Sequence, residues 1–338
     1  MLHSLKMNEH NPASVEFQWF EGRRYHNTPG ASYLLPNDID EPGQEWALWV
    51  TQKWAFRQND ADISVPVPSG QHFILRYAIQ GNYRSPIEKS KVRAILDVGC
   101  GPGTWTMEMA NEFPDAHVTG IDMSPVFPTT IIPSNCRFVQ HNILQPLPFP
   151  DNTFDLVYQR LLVAGLTPEE WIIVVKELER VTVPGGWIEL VEVDGHGGNN
   201  GPNTAKIWEW VERALMSRGI TSQIGRDPGL PKLLEMAGVT NVRQDVLRLP
   251  TGEHGGKLGQ LLKENEQSFW NTIAPMVIHA AGVDKNEYED ALEIAESEVE
   301  EYKSFHIFYV ATGQKRGPCL ANGVDGTGGT GYDSLAIQ

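Results

Sequence analysis

The ten residues LDVGCGPGTW at 96–105 most constrain what this chain can fold into. They close a continuous apolar run over 92–98, the pattern of a strand covered on both faces. Glycines at 99, 101 and 103 then allow a tight turn and a close backbone approach. The spacing predicts a turn over 99–103, a helix over about 104–113 and a second strand over 117–122, one right-handed βαβ unit. Such a unit commits the chain to a largely parallel sheet with helices on both faces.

The alternation continues. Further strands are predicted at 137–140, 154–159 and 187–193, with an amphipathic helix at 168–181 and Gly185 and Gly186 closing that crossover. Pro125, Pro128 and Pro133 forbid a regular helix after the second strand. After the glycine-rich turn GHGGNNGP, helices are expected at 203–218, 229–237, 257–281 and 284–303, with strands at 242–249 and 305–311. The chain's 338 residues exceed what one core usually holds. The organisation expected is an N-terminal extension or lid over 1–86, an α/β domain over 87–316 with a helical insertion at about 251–303, and a disordered glycine-rich tail over 317–338. Trp19, Phe20, Tyr25, Tyr33, Trp46, Trp49 and Trp54 make the opening segment too aromatic for a linker, so part of it should pack on the domain as helices or a lid.

The glycine turn lies at the carboxyl end of the first strand, the edge on which open α/β sheets bind ligands. Asp97 precedes it, and Asp122 ends the next strand, where a carboxylate can accept both hydroxyls of a ribose. Two nucleotide cofactors compete for this pattern. A dinucleotide fingerprint asks for a third glycine where this chain has Thr104, and the Asp97 carboxylate would repel a pyrophosphate. S-adenosylmethionine carries an ammonium, a ribose and an adenine but no phosphate, and suits both acids better than NAD does.

The run LDVGCGPGTWTMEMA followed by VTGIDMSP resembles the first motif and downstream acid of class I S-adenosylmethionine-dependent methyltransferases. FVQHNILQPLPFPDNTFDLVYQR and PGGWIELVE resemble the third to fifth strands of that Rossmann-like fold. A closer resemblance is to fungal LaeA-like methyltransferases of secondary metabolism, through Gly22, Arg23, Tyr25 and His26, LPND at 35–38, Ser124, Pro125 and Pro128 after Asp122, and Arg160 after the fourth strand. The resemblance implies a seven-stranded, mostly parallel sheet, plus N-terminal and late helical insertions. It also implies that Asp97, Gly99 and Gly101 line the methionine end of the cofactor, that Asp122 binds the ribose, and that Met123, Asn142 and Ile143 meet the adenine. Cys100, Gly103, Trp105 and Gln159 complete the implied cofactor set. The chain departs from the family at Asn142, where an aspartate is common, and in EPGQEWALW after LPND. The amide oxygen of Asn142 can still accept a hydrogen bond.

Catalytic candidates are Arg160, placed to clamp a substrate carboxylate or to serve as a structural ion pair, and Tyr25 and His26, reaching over the cofactor with His26 as a base. Glu189, Glu192 and Asp194 are expected to share one face of the fifth strand and not all to be buried. The IWEW run at 207–210 is expected to pack, and ranks second as an acceptor site. His141, His196, His254, His279 and His306 lack metal-ligand spacing, so no metal is assigned. Neither a GxSxG elbow nor a Walker loop occurs.

A net charge of −16, from 27 Lys+Arg against 43 Asp+Glu, argues against nucleic acid and membrane surfaces as partners. Cys100, Cys136 and Cys319 form no disulfide or zinc pattern, and no signal or membrane-spanning segment is legible. A cytoplasmic protein is therefore expected, with a nuclear one as the alternative. The expected activity is methyl transfer to a small-molecule acceptor by in-line displacement, where positioning and desolvation suffice without an obvious base. The alternatives are a LaeA-like regulator acting through protein partners and, more weakly, an NAD-dependent oxidoreductase.

Overall fold

A computed structural model of the protein describes residues 17–20, 23–26 and 67–317. The tail beyond 317, the LPND stretch at 35–38 and the tryptophans at 46, 49 and 54 lie outside the described residues. Two short strands, β1 (Phe17–Phe20) and β2 (Arg23–His26), pair antiparallel. They are followed by α1 (Val67–Ile79), a helix within the opening segment whose Ile74, Leu75 and Ile79 are buried against Trp105 and Phe113.

The main sheet then unfolds in chain order as β3 (Ala94–Val98), α2 (Thr104–Glu112), β4 (His117–Asp122), β5 (Cys136–Gln140), β6 (Phe154–Arg160), α3 (Pro168–Val181) and β7 (Thr182–Gly198). It ends with α4 (Pro202–Met216), α5 (Leu230–Met236), β8 (Thr240–Pro250), α6 (Gly256–Ala281), α7 (Lys285–Glu301) and β9 (Phe305–Gln314). The spatial order is β5-β4-β3-β6-β7-β9-β8, parallel from β5 to β7, with β9 antiparallel to both of its neighbours. The order reverses at β3, so β4 and β6 flank the strand that carries the glycine turn, which makes this the switch point of the sheet.

Local chemistry explains most boundaries. Thr167 and Glu170 form a reciprocal capping box at the start of α3, with Pro168 in the first turn, where its missing N–H costs nothing. The three prolines leave the β4–β5 connection without a helix, as the sequence predicts. One apolar layer, with Leu96, Leu190 and Ala311, packs under α3, and the other, with Ile95, Val191 and Val310, packs under α1 and α2. A third layer holds α4, α6 and α7 together through Trp210, Trp270, Ile273 and Tyr288, whose hydroxyl donates to the Trp270 carbonyl at 3.0 Å.

Two expectations are corrected. The fifth strand is not confined to 187–193: Gly185 and Gly186, read as crossover turn, and the whole GHGG run belong to β7. The reason is tertiary, since β9 offers partners from Trp187↔Gln314 to Gly198↔Phe305, with a register shift after Asp194. The acids of β7 also differ. Glu189 and Glu192 are three residues apart and so face opposite sides of the sheet, and all three acids are buried. Burial is tolerated because each carboxylate has several donors. Glu189 accepts from the backbone N–H of Arg84 and Ser85 and from the Ser85 hydroxyl. Glu192 accepts from Leu162 N at 2.9 Å and Val163 N at 3.0 Å. Asp194 pairs with Arg226 and accepts from the Tyr309 hydroxyl and His196 N.

Buried acids give the fold a pH signature. Burial raises Glu266 of α6 to about 8 and lowers His306 of β9, 3.5 Å away, to about 4. Burial also raises Glu189 and Glu192 to about 7 and about 8. Above pH 6.5, the ordinary histidine value, an unfolded histidine is more than half neutral, and the folded chain still holds carboxyl protons that the unfolded chain has released. Stability contributed by these raised pKa values is present at low pH and lost as pH rises through the folded values. Thermal melts should therefore show Tm falling from pH 6.5 to pH 8.5, and Glu266→Gln should flatten that slope. A Tm that rises over this interval would remove the account.

Candidate active site

The site begins where β3 ends. Gly99 N and Cys100 N both donate to the Ile121 carbonyl at 2.9 Å, which ties the glycine turn to β4. Gly101 N donates to Asp122 Oδ2 and Ser124 N to Asp122 Oδ1, each at 2.8 Å. The carboxylate thereby fixes both the glycine turn and the start of the proline-rich connection. Burial raises the Asp122 pKa, opposed by backbone donors from Ser124, Gly101 and Met123. Each oxygen of an ionised carboxylate has two acceptor sites, so acceptor capacity remains beside that taken by the backbone N–H groups.

A cavity of about 300 Å³ opens beside this carboxylate, the size of a small-ligand site. Of the residues expected at the cofactor, Gly99, Cys100, Gly101, Asp122 and Met123 line it, together with Asn142 and Ile143. Arg160, expected near the acceptor, lines it too. Asn142 Oδ1 accepts from Leu144 N at 3.0 Å, which orients its amide.

Four expected residues do not line the cavity. Asp97 is wholly buried below the turn, where Thr106 donates to its Oδ2 at 2.6 Å and its Oδ1 has no hydrogen-bond partner. Burial raises its pKa to about 6, against the lowering effects of Arg160 and Thr106. Gly103 starts α2 with φ +75°, against the ring of Phe138. Trp105 stacks on Tyr158 at 3.9 Å and donates to the Asn82 carbonyl, a packing role. Gln159 is fully buried, with both amide atoms unpartnered. Tyr25 and His26 belong to β2, and the roles expected of their side chains fall outside what the structure describes.

Sequence reasoning missed the far wall. The loop at 161–166 lines the cavity through Leu162 and Val163, the residues whose amides Glu192 holds. Trp208, Val211 and Leu215 of α4 and Phe269 of α6 complete an apolar end, with Ser222 as a polar point in it. Trp208 is the exception, since it belongs to the IWEW run that ranks second as an acceptor site in the sequence. Phe269 carries no local signal, because a contact between residues so far apart in the chain is set by helix packing alone.

The residues present fit S-adenosylmethionine. At Gly101, φ +52°, an added Cβ would meet no atom within 4 Å, so the backbone there lies open to the cavity. Asp122 supplies the acceptors a ribose diol needs. Among the described lining residues one anion, Asp122, and one cation, Arg160, are charged.

A family model described as a methyltransferase domain matches residues 95–186. The chain is 30% identical over 196 residues to methyltransferase str3 of Strobilurus tenacellus, covering 56% of this chain and 69% of that protein. It is 27% identical to N-methyltransferase sirN of Leptosphaeria maculans, covering 72% of this chain and 89% of that protein. It is also 27% identical to the secondary metabolism regulator LAE1 of Cochliobolus heterostrophus, over 71% of this chain and 72% of that one. The solved structure of phosphoethanolamine N-methyltransferase 2 of Haemonchus contortus with S-adenosyl-L-methionine matches with a TM-score of 0.46 at 14% identity. That match covers 82% of this chain and 57% of that one.

Proposed function

Because this chain belongs to the class I S-adenosylmethionine-dependent methyltransferases, related to fungal methyltransferases of secondary metabolism, we propose that it methylates a small, largely apolar acceptor. The observation that supports this most is the two-ended cavity. One end is glycine backbone and a carboxylate, and the other is Leu162, Val163, Trp208, Val211, Leu215 and Phe269. When bound, S-adenosylmethionine supplies an electrophilic methyl group on a sulfonium.

The chain's own residues do the rest. The open backbone at Gly101 and the Asp122 carboxylate hold and orient the nucleoside. Trp208 and Phe269 exclude water and offer an apolar surface to the acceptor, which favours in-line approach of a desolvated nucleophile. Ser222 Oγ donates to Glu212, which leaves its oxygen lone pairs to accept a proton from an acceptor hydroxyl or amine. The acidic chain is compatible with neutral or cationic acceptors.

The test is methyl transfer from labelled S-adenosylmethionine to a panel of phenols, amines and heterocycles, read as product mass. Phe269→Arg should cut transfer by roughly 100-fold, through blocked acceptor entry, while S-adenosylhomocysteine affinity stays within about twofold. Loss of both together would show that Phe269 supports the cofactor rather than the acceptor. Similarity to LAE1 favours a second reading, regulation through protein partners. Under it the small-molecule panel stays blank and label moves to a protein.

A further inference from the structure

Arg160 ends β6 and lines the cavity, and among the described residues it makes no ion pair with a carboxylate. Its orientation is nonetheless defined. Nη1 lies 3.1 Å from His72 Nδ1, on α1. His72 is 1% exposed, and burial, helped by Arg160 itself, lowers its pKa. A guanidinium can only donate, so the neutral ring accepts through Nδ1 and carries its proton on Nε2. That nitrogen lies 3.2 Å from Glu108 Oε2, on α2, whose other oxygen meets Arg76 at 3.0 Å. Glu108, His72 and Arg160 thus stand in a row, joined by a 3.2 Å contact between Glu108 and His72 and a hydrogen bond between His72 and Arg160, which ends in a cation that lines the cavity.

An arginine held by a neutral ring keeps most of its donors for something else. What that is follows from its place on the sheet. β4 and β6 flank β3, so Asp122 and Arg160 stand on either side of the glycine turn, two strand spacings or about 10 Å apart. The cofactor has one diol and one carboxylate, joined by a flexible arm through the sulfur. With the diol on Asp122, Arg160 is the one cation among the described lining residues that would be left to hold the carboxylate.

We propose that Arg160 binds the α-carboxylate of the cofactor's methionine arm, with His72 and Glu108 as the residues that position it. This rests on the cavity being the S-adenosylmethionine site. It also gives α1, the described helix of the opening segment, a task in cofactor binding.

The experiment is calorimetric titration with two ligands. S-adenosylhomocysteine has the amino-acid arm; 5′-methylthioadenosine keeps the nucleoside and sulfur but lacks it. Arg160→Gln should weaken S-adenosylhomocysteine by roughly 10- to 100-fold, the range of a charge-assisted hydrogen-bonded pair, and leave methylthioadenosine within about twofold. His72→Phe should show a smaller loss with the same selectivity, and His72→Gln, whose amide oxygen can accept from the guanidinium, should recover it. Arg160→Lys keeps the charge but loses the fork, and should fall between wild type and Arg160→Gln. Equal losses for both ligands would make Arg160 a structural residue and overturn the proposal. Unchanged S-adenosylhomocysteine affinity would also overturn it, and would turn the guanidinium toward an acceptor. Wild-type protein that binds neither ligand would overturn the cofactor reading itself, a result visible before any variant is made.

Discussion

Alanine at Asp122 is expected to lower S-adenosylhomocysteine affinity by at least about 100-fold, the largest loss of any single side chain in the site. The estimate rests on two separate sets of hydrogen bonds. The carboxylate accepts from Gly101 N and Ser124 N, so its removal frees the turn that lies under the ligand and leaves two backbone donors without their acceptor. It also removes the acceptor capacity left for a ribose, and hydrogen bonds to a charged acceptor are worth more than neutral ones. Asp122→Asn separates these contributions. An amide oxygen keeps part of the acceptor capacity but replaces the other oxygen with a donor aimed at an N–H group, so a loss between that of alanine and wild type is expected. Calorimetry alongside a melting curve checks both. Alanine binding within about threefold of wild type, in a folded protein, would remove Asp122 from the site.

The second large effect is a contrast between two glycines in one turn. Gly103 has φ +75°, and a Cβ there would overlap the ring of Phe138 from β5. Gly103→Val therefore combines a left-handed backbone penalty with a core clash. The two together should cost roughly 3–5 kcal/mol, or on the order of 10 °C in Tm for a domain of this size. Gly101 also has positive φ, at +52°, but a Cβ there meets nothing within 4 Å because it projects into the cavity. Gly101→Val should cost only about 1–2 kcal/mol of stability, yet block the cofactor by filling the space where it lies. Melting temperature and S-adenosylhomocysteine titration, run on both variants, should thus diverge. One protein should lose stability first and the other binding first. Equal behaviour would mean that the turn responds as a unit and that its two glycines have no separate roles.

The legible part of the site is the part built from neighbours in sequence. The apolar run, the three glycines and Asp122 lie within 31 residues, 92–122, and the βαβ unit brings them together with no other information. Asn142 and Arg160 were legible for a related reason, since each follows a strand whose position in a parallel sheet is determined by the order of the chain. Trp105 shows the limit of that logic. It stands at the right place in the motif, but its ring points into the core, where stacking on Tyr158 and the bond to Asn82 outweigh a place in the cavity.

The acids of β7 show the same limit more sharply. A charged residue predicts exposure only when its donors are unknown, and those of Glu189 and Glu192 are backbone amides more than a hundred and about thirty residues away. Nothing in the spacing of the acids announces Arg84, Ser85, Leu162 or Val163. Their fully buried carboxylates act as pins for the segment before β3 and for the loop over the cavity.

The sequence alone determined the sheet, its switch point and the glycine-and-carboxylate end of the cavity, because strand period, helix caps and glycine geometry are local properties that a few adjacent residues settle. Only the tertiary structure decided the length of β7, the burial of its acids, the apolar wall from α4 and α6, and the Glu108–His72–Arg160 chain. Each of these depends on a partner far along the sequence, whose approach is set by packing two layers of side chains and by satisfying every polar group they bury.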